Sequence, residues 1–225
     1  RLVGSEMSIR DSAESEGSVC VLHLIADDPE VYAGLDGAKI SRVNAANRKF
    51  MAPWREYTMN DRVQWSIAAM PSAPWAKKMF PELDTDAAIE KLWQLIFDVC
   101  RVTGGDPVNE WKAHLDRLTS LGEKMNDLDL ESVHFESANG TDLTVGLAEK
   151  ASWESAGSKN EKGVFFLPNI PTEEVFTAPH KDKVDGIVYG TKPYVFNGQL
   201  IKGFHVTFKD LSLIHISEPT RRVVI

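Results

Sequence analysis

The sequence predicts an α/β protein in which helices pack on a sheet in the first half, followed by a mostly antiparallel β region. Two amphipathic helical patterns fill much of the stretch from residue 86 to 126, and short apolar runs typical of strands precede them. Beyond Asn126, β-branched and aromatic runs alternate with Gly, Pro or Asn. The 225 residues suffice for one large core or two small ones.

The composition indicates a soluble globular protein, with 43% apolar and 26% charged residues. A formal charge of −8 argues against a nucleic-acid partner, because such binders usually carry a basic surface. The sequence shows no apolar run of about 18 residues and no secretory leader pattern, so we expect no membrane partner and a cytoplasmic protein. Cys20 and Cys100 lie in apolar runs, which predicts two buried thiols in a reducing compartment.

The first elements are predicted from local apolar runs and turn signals. Residues 1–17 are polar without a clear period, which predicts a loop or an exposed terminus. Ser18 to Ala26 reads as a buried strand, with His23 as a core side chain. Lys39 to Ala52 follows as a helix, and Val63 to Met70 as the next strand.

Two long helices complete a partial α/β domain predicted over residues 18–126. The strongest pattern runs from Asp86 to Val102, and Asp84 or Thr85 can cap its first turn. The second helix starts with Asp106 as N-cap and Pro107 at its first position. The apolar stripe of the first helix consists of Ile89, Leu92, Trp93, Ile96, Phe97 and Cys100.

Residues 127–210 are predicted to form a β-rich region. Alternation over Leu200 to Phe208 places His205 on the face opposite the aromatic side chains, which predicts a surface role for this histidine. The predicted strands are VHFES, TDLTVGL, GVFFL, EVFTA, GIVYG, KPYVF and LIKGFHVTF.

The stretch NIPTEEVFTAP, Asn169 to Pro179, places two adjacent carboxylates at the entrance of a predicted strand. Pro171 favours an extended chain, in which Glu173 and Glu174 point to opposite faces, so only one of them can serve a given site. A carboxylate beside bulky apolar residues loses water and needs a partner, for which a divalent cation is a common solution. Two exposed glutamates at a strand entrance are the alternative. The HExxH, GxSxG, P-loop and dinucleotide motifs do not occur.

Four segments, in this order, resemble the M29 family of metallo-aminopeptidases: WSIAAMPSAPWAKKMFP, IEKLWQLIFDVCRV, NGTDLTVGL and NIPTEEVFTAP. The similarity extends from about Asp28 to Asp210. It implies an enzyme that uses two divalent metal ions, Zn, Co or Mg, to release N-terminal amino acids from peptide substrates, and that forms a homodimer when complete. It also implies that one glutamate of NIPTEEVFTAP is the first metal ligand. Glu174 is favoured because related motifs vary more at the first acidic position, and Glu173 is the alternative.

The sequence departs from the family pattern at both ends. In the family, the other metal ligands, a further glutamate, two histidines and an aspartate, come from a C-terminal part that this chain does not contain. An α/β portion is expected before Ser18. SLIHISEPTRR resembles a translated sequencing adapter, which predicts a foreign tail over residues 211–225. We therefore expect a fragment with little or no activity.

Two other functions stay open at this point. One is a non-catalytic peptide- or sugar-binding module, with a groove lined by Trp54, Trp65 and Trp75. The other is a ring-cleaving enzyme with a single iron ion, since scaffolds that resemble M29 also host that chemistry.

Overall fold

A computed structural model describes residues 19–196 and 199–209, and the backbone alone of residues 212–217. The helices are α1 (Gly37–Met59), α2 (Ala73–Met79), α3 (Thr85–Val99) and α4 (Pro107–Asp127). The strands are β1 (Cys20–Ile25), β2 (Gln64–Ala69), β3 (Ser132–Glu136), β4 (Asp142–Leu147), β5 (Ser158–Lys159), β6 (Phe165–Phe166), β7 (Asn169–Ile170), β8 (Pro179–Tyr189), β9 (Tyr194–Phe196), β10 (Gln199–Ile201), β11 (His205–Lys209) and β12 (Ser212–Ser217).

The first sheet is parallel and has the strand order β1-β2-β7. Both predicted strands of the first half are confirmed, but the predicted burial of β1 is wrong. Leu22 and His23 point to opposite faces, and both are exposed, as is Cys20. One reason is that β1 is an edge strand, which has a neighbouring strand on one side only.

Helix α1 is longer than the sequence indicates. It begins after Asp36, whose carboxylate accepts a hydrogen bond from the Ala38 amide at 2.8 Å, and it continues past Pro53 to Met59. Only Ile40 is buried among its side chains, whereas Val43 and Phe50 are exposed. The apolar pattern therefore predicts the helix correctly but overstates its burial.

The main core lies where α2 and α3 pack together and against the ends of β2 and β7. Asp84 is the N-cap of α3, accepting from the Ala87 amide at 2.9 Å, and the helix ends at Val99, before the predicted Val102. Phe97, predicted in the core stripe, is 41% exposed and stacks on Trp93 instead. The buried core consists of Ala76, Ala88, Leu92, Ile96 and Cys100, with Ala69 and Ile170 of the sheet packed against it.

Helix α4 begins as the sequence predicts. The Asp106 carboxylate accepts from the Asn109 amide at 3.1 Å, and Pro107 opens the helix. Leu118 lies on its buried face, as the spacing indicates, and His114 lies beside it, only 4% exposed.

The second sheet is antiparallel, with the strand order β12-β11-β8-β4-β3. Gly186 has φ +120°, and a Cβ at this position would lie 2.1 Å from the Asp142 carbonyl oxygen, so the crossing of β8 and β4 requires glycine. Together with the helices on the parallel sheet, this sheet confirms the predicted fold class.

Three predictions in the β region are wrong. The run from Leu200 to Phe208 is two strands, because Gly203 turns the chain with φ +61° between β10 and β11. His205 pairs with Tyr189 across β11 and β8, and their rings lie 5.1 Å apart, so this histidine is partly buried rather than on the surface. The predicted strand EVFTA forms only an isolated bridge between Phe176 and Glu154.

The chain divides into two compact units. Among the described residues, the first unit contains those within 1–118 and 155–174, and the second contains those within 119–154 and 175–225. The backbone of residues 212–217 pairs with β11, while the predicted polar terminus 1–17 and the rest of the predicted tail lie outside the described residues. The predicted domain boundaries and the foreign origin of the tail stay predictions.

Replacing Leu92 with alanine tests the core. Leu92 is 1% exposed, so we expect Leu92→Ala to lower the free energy of unfolding by about 2–5 kcal/mol through lost burial and a residual cavity. Urea unfolding followed by circular dichroism measures this. Leu95 on the same helix is 40% exposed, and Leu95→Ala should cost about 1 kcal/mol or less. Equal losses in the two variants would contradict the described core.

Candidate functional site

The NIPTEEVFTAP motif begins as a strand and then leaves regular structure. Ile170 ends β7, the Ile170–Pro171 peptide bond is cis, and the next four residues form no strand. The sequence predicts that strand alternation separates Glu173 from Glu174. This prediction is wrong, because the segment that carries them is irregular and not a strand. Thr172 is 6% exposed, whereas both glutamates are exposed.

Glu173 is surrounded by cationic and histidine nitrogens of its own compact unit. Its Oε1 lies 2.5 Å from Arg101 Nη2 and 3.7 Å from His114 Nε2, and its Oε2 lies 3.9 Å from Arg117 Nη2. The Arg101 side chain is 27% exposed, while those of Glu173 and Arg117 are 56% and 63% exposed. The contact with Arg101 is thus the shortest of the three, whereas His114, whose side chain is 2% exposed, is the most shielded partner.

His114 holds the main chain immediately before Glu173. Its Nε2 lies 2.7 Å from the Thr172 carbonyl oxygen, and its Nδ1 lies 2.9 Å from Arg117 Nη2. A carbonyl only accepts and a guanidinium only donates, so Nε2 must carry the proton and Nδ1 must accept. This arrangement is the neutral imidazole with both ring nitrogens paired.

Helix α4 places these side chains by its ordinary periodicity. His114 follows Trp111 by three residues and precedes Leu118 by four, which places all three on the buried side. Trp111 contacts the His114 ring edge-on and donates from Nε1 to the Cys100 carbonyl oxygen at 2.8 Å. This bond fixes α4 to the end of α3, next to Arg101.

Glu174 differs from its neighbour. Within residues 19–196 and 199–209, its carboxylate accepts no hydrogen bond and forms no ion pair. No group of three or more His, Cys, Asp or Glu residues in these ranges could hold a metal ion. The described side chains alone therefore do not fit the two-metal site that the family resemblance implies, and Glu174 could provide one donor of it.

An apolar cavity of about 200 Å³ lies under Pro171, with Cys100 in its wall. Burial raises the pKa of the Cys100 thiol, and the Arg101 charge opposes this to a lesser extent. The other lining residues are Ala69, Trp75, Met79, Leu92, Leu95, Ile96 and Val99.

The three tryptophans proposed as a binding groove do not line a common cavity among those described. Trp65 lines a second cavity of about 480 Å³, Trp75 lines the cavity under Pro171, and Trp54 stacks on Tyr57 at 5.9 Å. The described cavities thus give no support to a shared groove.

The sequence indicates both glutamates but not the residues that hold Glu173 and the main chain before it. His114 could have been found, because a histidine between Trp111 and Leu118 on a core face needs polar partners. Arg101 and Arg117 carried no comparable signal, since nothing local shows which carboxylate a surface arginine meets.

Comparisons with known proteins agree with the resemblance of the ordered motifs. The family described as thermophilic metalloprotease (M29) matches residues 7–217. The chain is 42% identical over 193 residues to aminopeptidase PepS of Streptococcus thermophilus, and 36% identical over 188 residues to aminopeptidase T of Thermus aquaticus. These matches cover 85% and 84% of this chain, and 46% of each relative.

A solved structure shows the same fold. Wild-type AmpT from Thermus thermophilus superposes with a TM-score of 0.84 at 29% identity, covering 96% of this chain and 53% of that protein. The chain therefore spans about half the length of the relatives it matches. Among the helices of the described chain, none has the length and apolar character needed to cross a bilayer.

The two thiols should react at different rates. Cys20 is exposed, whereas Cys100 is 6% exposed and has a raised pKa, so we expect iodoacetamide to modify Cys20 first in the folded protein. Mass spectrometry of the Cys20→Ser and Cys100→Ser variants measures each rate separately. Equal rates in the folded state would contradict the burial of Cys100.

The same thiol should make stability depend on pH. The folded pKa of Cys100 lies above its unfolded value, so its contribution is fully present below the unfolded pKa and is lost as pH rises through the folded pKa. Urea unfolding at alkaline pH, compared between the parent chain and Cys100→Ser, measures this loss. A pH dependence unchanged by the substitution would contradict it.

Proposed function

Because this chain belongs to the M29 family of metalloproteases, we propose that it is one part of a metal-dependent aminopeptidase that releases N-terminal amino acids from peptides. The observation that carries the proposal is the similarity to aminopeptidases over more than four fifths of the chain. The chain corresponds to about half of such a protein, so its part of the site needs donors from elsewhere.

Within that enzyme, Glu174 serves as a metal ligand. Support comes from the contrast between the glutamates: Glu173 is paired with Arg101, and the described structure leaves the Glu174 carboxylate without a protein partner. Carboxylate oxygens suit divalent ions such as Zn²⁺, Co²⁺ or Mg²⁺. Together with donors from the rest of the protein, Glu174 would hold an ion that would supply Lewis-acid chemistry for peptide hydrolysis.

Further properties of the whole enzyme complete the proposal. Homodimerisation is proposed on family resemblance alone. A cytoplasmic location is supported by two cysteines that are both free thiols in the described structure, as is usual in a reducing compartment. We expect the chain by itself to be inactive, because Glu174 is the one donor proposed among the described residues and one carboxylate cannot hold two metal ions.

Hydrolysis of leucine p-nitroanilide tests the proposal. We expect the purified chain with added Zn²⁺, Co²⁺ or Mg²⁺ to give no turnover above buffer. Chelator-sensitive turnover that disappears in Glu174→Gln would overturn the expected inactivity.

The complementary experiment measures kcat/KM in the longer protein that carries this segment. There, Glu174→Gln should lower kcat/KM by at least about 100-fold, because a lost metal contact costs several kcal/mol of transition-state stabilisation. Glu173→Gln is the matched control and should keep more of the activity. The reverse order would identify Glu173 as the ligand.

A further inference from the structure

A cluster on α4 and at the end of α3 holds the chain at the two residues that precede Glu174. We infer that Arg101, His114 and Arg117 are positioning residues for this segment, and that Glu173 is their counter-ion rather than a metal donor. The inference rests on the proposed function only where it takes Glu174 as the donor.

The first step is the hold on the main chain. The Thr172 carbonyl accepts from His114 Nε2 at 2.7 Å in a place where the histidine is 4% exposed. The second ring nitrogen accepts from Arg117 at 2.9 Å, so the imidazole is fixed from both sides. A carbonyl held this way fixes the peptide plane between Thr172 and Glu173, which limits where the next side chain can point.

The second step is charge. With His114 neutral, the cluster carries two positive guanidinium groups against one carboxylate, so a divalent cation that approached Glu173 would meet net repulsion. Arg101 already lies against Oε1 of that carboxylate. A carboxylate with such partners is a poor metal ligand, whereas Glu174 has none of these contacts.

The outer ion pair of the cluster, between Glu173 and Arg117, has little effect on folding stability. The side chains of Glu173 and Arg117 are both more than half exposed, and ion pairs with such exposure contribute little to folding. The contacts of the cluster instead restrict the conformation of the segment, because they bind both its main chain at Thr172 and the side chain of Glu173.

Backbone order in the isotopically labelled chain tests the positioning. Nitrogen-15 relaxation should give order parameters near the rigid value of about 0.85 for residues 172–174, falling below about 0.6 in His114→Leu. His114→Gln should restore order, because the glutamine amide nitrogen can donate to the Thr172 carbonyl. Arg101→Met should loosen the segment, and Arg101→Lys should loosen it less.

Arg62→Met is the matched control. It removes another exposed ion pair of the same compact unit, Arg62 to Glu161 at 3.5 Å, and should leave residues 172–174 ordered. Circular dichroism shows whether each variant is folded, and if His114→Leu is not, the Arg101 variants decide the outcome. Unchanged order in the folded His114 and Arg101 variants would overturn the positioning role.

In the longer protein that carries this segment and the remaining donors, added Mn²⁺ identifies which glutamate is the donor through paramagnetic line broadening. We expect broadening centred on Glu174, lost in Glu174→Gln and kept in Glu173→Gln. Broadening centred on Glu173 would overturn its role as counter-ion. If the backbone order parameters fall in the variants but the signals of neither glutamate are broadened, the positioning role stands and the assignment of Glu174 as a ligand fails.

Discussion

The hydrogen bond from His114 to the Thr172 carbonyl joins residues 58 positions apart and is the constraint on which the candidate site depends. Strand β7 has only two residues, so sheet pairing ends at Ile170 and cannot fix the chain beyond it. A buried carbonyl also needs a donor, and Thr172 finds it on helix α4. Helix α4, which comes much earlier in the sequence, thus holds the site. The geometry of the site therefore depends on how α4 packs.

The packing of α4 depends in turn on the core around α3. Leu92 and Ile96 fill that core from one side of α3, and Cys100 ends the helix with its thiol buried and its carbonyl bonded to Trp111. One residue further, the chain turns with φ +57° at Arg101 and presents the guanidinium that pairs with Glu173. Apolar packing and the polar contacts of the site therefore belong to one continuous set of interactions within the first compact unit.

The fold class and the long helices could be predicted because their signals are local. An apolar period and a capping aspartate are sufficient to place α3 and α4 to within a few residues, as the bonds of Asp84 and Asp106 show. Burial was predicted less well, because it depends on what covers a face: Cys20 and His23 lie in an apolar run that ends up exposed on an edge strand. The partners of Glu173 could not be predicted from the sequence, because the ion pair with Arg101 joins residues far apart along the chain.

Two identical neighbouring side chains acquire different chemistry through their surroundings alone. On a helix, successive glutamates would project about 100° apart into similar solvent, and neither would be singled out. In the irregular segment after Pro171, Glu173 meets a guanidinium at 2.5 Å while Glu174 meets no partner in the described structure. A free carboxylate retains all its lone pairs for an incoming cation, whereas a paired one must first give up a charge-assisted bond. The irregular backbone is therefore what allows one glutamate to serve the scaffold and leaves the other available to a ligand.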